Sequence, residues 1–194
     1  MSKFIAFVLM ICSLNALAQL SDFESNVTAE ESKQSLVREN FVSRYDYILS
    51  FHQSSHWHED EIYYVFGYTG REWRLIRWTF VRGDHNRPVH QREKRMKYSS
   101  RKFEDLLDAM SQTGFYELKH GALNLRQRDN GDGTGVTMHI YDGVTDEFEL
   151  ISPVAHRIST TYAENSLQEK FPTVDRRDFI HCRDMVLDLV FGRD

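Results

Sequence analysis

Alternation of apolar and polar positions in the first half of the chain predicts antiparallel strands. Residues 45–51 place apolar side chains at every second position, which is the period of a strand with one buried face. Residues 62–68 form a run rich in β-branched and aromatic side chains, and a Thr-Gly-Arg turn leads from it into a further strand over 72–81. The apolar positions of that strand change phase between Leu75 and Ile76, which predicts a β-bulge there.

Two later segments carry the period of a helix. The first of them begins after a serine cap, Ser99 or Ser100, and precedes Gly114, which stands where a left-handed helix end is expected. Residues 174–191 predict a closing helix that ends before Gly192. The apolar side chains fall on one face of each helix: Phe103, Leu106, Leu107 and Met110 in the first, and Phe179, Cys182, Val186, Leu189 and Val190 in the second.

Between the helices, the pattern predicts a second group of strands. Residues 115–118 start a strand, 136–140 alternate, and Asp142-Gly143 predicts a hairpin turn from which 147–151 return. The stretch from Ser152 to Thr173 contains two prolines and predicts a loop. Strands in two groups, each followed by a helix, indicate an α+β fold: an antiparallel sheet of about five to six strands with two helices packed on one face.

The first eighteen residues have the pattern of a cleavable signal peptide. Lys3 precedes an uncharged run over residues 4–14, and small side chains at Ala16 and Ala18 predict cleavage before Gln19. The apolar run is shorter than the roughly 20 residues that a spanning helix needs. A lipoprotein anchor on Cys12 is the alternative, but Ile11 occupies the position where such anchors need a small residue.

The expected mature chain divides into a polar N-terminal stretch and one folded unit. Residues 19–44 form either an arm or a short helix, since Thr28 and Glu31 have the spacing of a capping box, and residues 45–194 form a single α+β domain. No second long apolar stretch follows the signal, so no transmembrane segment is expected.

Charge and cysteine content indicate the compartment. Without residues 1–18, the chain has 23 basic and 29 acidic side chains and a net charge of −6. Cys182 is the one cysteine left, so no intramolecular disulfide can form. Small secreted domains of eukaryotes usually contain disulfides. The lack of one therefore favours a bacterial protein that is periplasmic or secreted.

A family resemblance follows from a few short segments in order. They are Ser50-Phe51-His52, Phe103-x-x-Leu106-Leu107, Gly114-Phe115-Tyr116-Glu117-Leu118, Ile151-Ser152-Pro153 and Phe179-x-x-Cys182. In this order the chain is similar to small bacterial exported or cell-envelope proteins of uncharacterised function. The resemblance implies an α+β fold and no catalytic residues.

A histidine-rich segment is the candidate metal site. His52, His56, His58 and Asp60 lie within nine residues, and imidazole nitrogen and carboxylate oxygen both suit zinc. Residues 56–60 match the start of the H-x-H-x-D-H motif of metallo-β-lactamase-like hydrolases, but the final histidine is replaced by Glu61. The other interpretation is a polar loop between strands 45–51 and 62–68.

A basic segment is the candidate partner surface. Residues 71–102 contain eleven lysines and arginines and three acidic residues. Within it, residues 82–102 are expected to form an exposed loop or strand edge that contains Arg92, Lys94, Arg95 and Lys97. They either bind an acidic envelope protein or other anionic envelope component, or simply keep the edge solvated and unpaired. Nucleic acid is not the expected partner of an exported, net-acidic protein.

These observations favour a non-enzymatic exported binding domain, such as an inhibitor or immunity-type protein, that needs no cofactor. No Gly-x-Ser-x-Gly motif is present, and Cys182 lies on the expected buried face of the last helix. The alternative is a zinc-binding protein or metal-dependent hydrolase built on the histidine-rich segment.

Overall fold

The computed structural model describes residues 23–55, 57, 60–83, 87–131 and 134–192. The predicted signal peptide over residues 1–18 lies outside the described residues. Within them, no helix is both long and apolar enough to cross a membrane.

An antiparallel sheet of six strands forms the centre of the fold, which confirms the predicted α+β class. Its strands span Tyr47–Ser54 (β1), Asp60–Tyr68 (β2), Trp73–Arg82 (β3), Pro88–Met96 (β4), Thr145–Ile151 (β7) and His156–Tyr162 (β8). Their spatial order in the sheet is β4-β3-β2-β1-β7-β8. A separate two-stranded ribbon pairs Gln127–Asp129 (β5) with Gly135–Thr137 (β6).

The first face of the sheet is covered by the two helices expected from the sequence. The described residues form six helices in all: Ala29–Gln34 (α1), Leu36–Phe41 (α2), Ser100–Gln112 (α3), His120–Leu123 (α4), Glu164–Lys170 (α5) and Val174–Phe191 (α6). The two expected helices are α3 and α6. Helices α3 and α6 bury their predicted apolar faces against the sheet. Phe103 of α3 stacks on Phe66, and Phe179 of α6 meets Phe148 edge to face.

The second face is covered over one part by α1 and α2. The Thr28–Glu31 capping box is present and starts α1, and Ser35 caps α2. Val37 and Phe41 of α2 are buried in a second apolar cluster. The cluster joins them to the sheet residues Ile48, Tyr63, Val65, Ile76, Trp78, Phe80 and Ile151.

This covering of both faces explains why the predicted bulge at Leu75 and Ile76 is wrong. Both side chains are buried because each faces a different apolar cluster, and the pairing of β2 with β3 is regular there. The irregularity lies between Thr79 and Val81, opposite His90 and Gln91 of β4. His90 has a φ of 51°, the left-handed conformation that occurs in bulges.

The connection between the two groups of strands also differs from the expectation. Residues 115–117 form a 3-10 turn rather than a strand start. Strand β6 pairs with β5, so Asp142-Gly143 does not join a hairpin of β6 and β7. Strand β8 and helix α5 occupy the stretch predicted as a loop. These elements matter for function because β8 forms one side of the polar part of the second face.

Candidate functional site

His52 lies in a strand and is buried, with 5% of its surface exposed. Its Nε2 is 2.5 Å from Glu61 Oε2, and its ring stacks on Tyr63 with the centroids 4.0 Å apart. Glu61 Oε1 also forms an ion pair with Arg82 Nε, which lies 2.6 Å away. The hydrogen bond from His52 and the charge of Arg82 lower the pKa of Glu61 against the effect of burial.

The structure describes two of the four predicted metal ligands, His52 and Asp60, and it does not bring these two together. His52 pairs with Tyr63 across the β1–β2 ladder, whereas Asp60 is three residues before Tyr63 on β2. Because successive strand residues point to opposite faces, His52 and Asp60 lie on opposite faces of the sheet. His56 and His58 are outside the described residues. Among the residues that are described, no group of three histidine, cysteine or carboxylate side chains has the geometry to hold a metal ion.

A polar cleft occupies the second face of the sheet beside α1 and α2. Its floor is built from cross-strand neighbours: Tyr63 on β2 pairs with His52 on β1, and His52 pairs with Glu147 on β7. The next row towards α2 contains Glu149. Arg82, Arg87 and residues of both short helices form the walls, and the cleft has a volume of about 940 Å³.

The three carboxylates near this floor have different partners. Glu61 is bound by His52 and Arg82, as described above. Glu149 Oε1 lies 2.6 Å from His156 Nε2 and also accepts a hydrogen bond from the Ser35 hydroxyl. Glu147 accepts one hydrogen bond, from the Thr160 hydroxyl at 3.0 Å. In the described part of the chain, Glu147 has no ion pair.

Burial and neighbouring charge act on the ionisation of the cleft floor. Burial raises the pKa of Glu147, and the charge of Glu149 raises it further. The pKa of Tyr63 is held far above its usual range by burial and by Glu147, Glu61 and Glu149. Tyr63 is therefore a neutral phenol with a hydrogen to donate, and its hydroxyl has no hydrogen-bond partner among the described residues.

The Glu149–His156 pair also ties the N-terminal stretch to the sheet. His156 Nδ1 lies 2.8 Å from the Ser32 hydroxyl of α1. The side chain of Asn26 donates to Ile158 O and accepts from Ile158 N, so it continues the ladder at the edge of β8. These contacts fix the helical wall of the cleft against its floor.

The predicted basic residues lie on β4, an edge strand, or just after it. Arg92 pairs with Thr79 and Lys94 pairs with Arg77 across the β3–β4 ladder. These four side chains line a surface notch of about 130 Å³. We call them the basic notch. Within the described residues, neither Arg92 nor Lys94 forms an ion pair, and Arg77 lies beside the neutral hydroxyl of Tyr64.

The other two predicted basic residues do not belong to the notch. Arg95 pairs with Ile76 and points to the opposite face, where its guanidinium is 3.7 Å from Glu72. Lys97 follows the end of the strand. The four predicted residues therefore separate into two that line the notch and two that do not.

Several residues of these sites were not predicted from the sequence. Arg77 joins the notch through the register of β3 and β4, and that register depends on the bulge at His90. Glu147 and Tyr63 look like an ordinary surface charge and an ordinary core aromatic when only their own strands are considered. For Glu147, the sequence offers one signal: it alternates with Phe148 and Leu150, which are buried on the other face of the sheet.

Comparison with known proteins gives no relative for either site. The chain matches no protein-family model, no curated protein and no solved structure.

Proposed function

We propose that this protein is a non-enzymatic binding domain, which acts after export and recognises an anionic group of its partner at the basic notch. The observation that carries the proposal is the convergence of Arg77, Arg92 and Lys94 beside Thr79. Two cations on neighbouring strands at directly opposed positions repel each other, because cross-strand side chains lie about 5 Å apart. A bound anion screens that repulsion, and the combined positive charge of the side chains stabilises the bound anion.

The size of the notch favours a small anionic group. About 130 Å³ is enough for a carboxylate, sulfate or phosphate, and arginine binds such groups with two parallel hydrogen bonds. Thr79 adds a hydroxyl that donates to the same group. Because the notch lies on exposed residues of an edge strand, a large partner reaches it without any movement of the fold.

Charge distribution supports an acidic macromolecule as the source of the anion. The chain has a net charge of −5, yet the segment 71–102 has eleven basic and three acidic residues. A protein with such segregation attracts acidic partners to one side while its overall charge resists non-specific association. We therefore propose an acidic envelope protein as the partner, in agreement with the expected export.

The experiment is capture of partners from a periplasmic extract, and the chain provides a charge-matched control. The variant Arg92→Glu/Lys94→Glu reverses the two notch residues of β4, whereas Arg95→Glu/Lys97→Glu makes the same change in charge outside the notch. We expect the first variant to lose the partner and the second to retain most of it. Equal recovery by both variants would show that the notch is not the recognition site.

A further inference from the structure

The cleft on the second face offers a site of opposite chemistry to the basic notch. Glu61 and Glu149 each have a basic side chain at 2.6 Å or less, namely Arg82 and His52 for Glu61 and His156 for Glu149. Among the described residues around the cleft, Glu147 is a partly buried carboxylate that has no basic side chain as a partner. Its Thr160 hydrogen bond satisfies one lone pair of one oxygen.

An unpaired carboxylate in a partly buried position is costly. Removing a carboxylate from water is unfavourable unless a cation or several donors replace the lost hydration. Both neighbouring carboxylates have such replacements, so the fold is able to place partners in this region. Glu147 has no cationic partner among the described residues, so a ligand in the cleft can provide that partner.

Tyr63 is a second unpartnered polar residue at the same cleft. It is 6% exposed and lines the cleft, and its hydroxyl has no hydrogen-bond partner in the described residues. The ring is fixed by His52 on one side and by contacts with Trp78 and Phe80. A rigid donor and an unpaired acceptor thus border the same cavity, on either side of His52.

We propose that this cleft binds a small ligand with an ammonium or guanidinium group, which Glu147 holds by a charge-assisted hydrogen bond while the Tyr63 hydroxyl donates to a neighbouring polar atom of the ligand. The volume of about 940 Å³ is in the range of small-molecule sites. The basic side chains Arg82 and Arg87 at the wall give room for an anionic group at the other end of the ligand.

An organic cation fits these groups better than a metal ion does. A divalent metal needs several convergent oxygen or nitrogen ligands, and the described residues contain no such group. An ammonium or guanidinium group needs one carboxylate and accepts polar or aromatic neighbours for its remaining surface. This inference goes beyond the proposed function, since the cleft and the basic notch lie on opposite faces of the sheet.

The test is calorimetric titration of the wild-type protein with 5-aminopentanoate, which has an ammonium group at one end and a carboxylate at the other. Pentanoate, of the same chain length and without the ammonium group, serves as the control ligand. We expect 5-aminopentanoate to bind at micromolar to millimolar concentration and pentanoate not to bind. Glu147→Gln should weaken 5-aminopentanoate binding at least tenfold, and Tyr63→Phe should weaken it a few-fold.

A matched variant separates the cleft floor from general charge. Glu104→Gln removes an exposed carboxylate from α3, on the opposite face of the sheet, and should leave the affinity for the same ligand within about twofold. Gln is close in size to Glu, and circular dichroism shows whether each variant folds as the wild type does. No binding to folded wild-type protein, or equal weakening by Glu104→Gln and Glu147→Gln, would overturn the proposal. Either result leaves the basic notch untouched.

Discussion

Replacing Arg176 by methionine should destabilise the fold strongly, although this arginine forms no ion pair among the described residues. Arg176 is completely buried at the start of α6, and burial lowers its pKa. Its guanidinium donates to the carbonyl oxygens of Phe171 at 2.5 Å, Leu123 at 2.8 Å and Leu125 at 2.9 Å. A weaker contact reaches Ala122 O at 3.3 Å.

The size of the effect follows from the three short hydrogen bonds. Methionine fills a similar length with apolar atoms but donates no hydrogen bond. Phe171 O and Leu125 O then lose this donor, and Leu123 O keeps only the Thr161 hydroxyl at 3.4 Å. Each hydrogen bond from the charged guanidinium contributes at least about 1 kcal/mol, so the free energy of unfolding should fall by about 3 kcal/mol. In a chain of this size that loss corresponds to a decrease in Tm of roughly 6–12 °C.

Urea denaturation followed by circular dichroism measures this change, and an exposed arginine of α3 provides the control. Arg101 has no hydrogen bond or ion pair among the described residues, so Arg101→Met should change the free energy of unfolding by less than about 0.5 kcal/mol. If both variants unfold at the same urea concentration, the reasoning that Arg176 joins α4, the loop before α6 and α6 itself is wrong.

Two further predictions concern buried ionisable groups. The raised pKa of Glu147 means that the folded state binds its proton more tightly than the unfolded chain does, so this carboxyl lowers stability once pH rises above its ordinary pKa. Glu147→Gln should therefore be more stable than wild type at pH 7, and the difference in stability should shrink as the pH is lowered towards the ordinary glutamate pKa. Thermal unfolding of both proteins across that pH range measures the difference. A variant less stable than wild type at pH 7 would contradict the account. Burial raises the pKa of Cys182 to about 12, so this thiol should react with a chromogenic disulfide reagent at pH 8 only when urea unfolds the chain, and rapid reaction of the native protein would show that it is not buried.

Much of the fold was predictable because the relevant signals are local. The stripe of Phe103, Leu106, Leu107 and Met110 predicts α3, and the serine cap and Gly114 mark its ends. Strand β8 was not predictable in the same way, because its sequence has polar residues at most positions and follows Pro153. Its place in the sheet comes from pairing with β7, and such pairing is not visible in the segment itself.

The sites were less predictable because they depend on pairing between strands distant in sequence. Arg92, Lys94 and Arg95 lie exposed on an edge strand, as the sequence predicted, and Lys97 lies exposed just after it. Strand alternation puts Arg95 on the opposite face from the other two residues of β4. The position of Glu147 next to His52 joins residues 95 positions apart in the chain. A sequence pattern contains no such information, and the polar half of the second face emerges only from the register of the sheet.

The central claim, anion recognition at the basic notch, is tested most directly by nuclear magnetic resonance of the arginine side chains. Titration with poly-L-glutamate should shift the Nε–Hε signals of Arg77 and Arg92 and leave that of Arg95 nearly unchanged, and the shifts should disappear as salt is raised. Equal shifts at all three arginines, or shifts at Arg95 alone, would contradict the claim that the notch selects the anion.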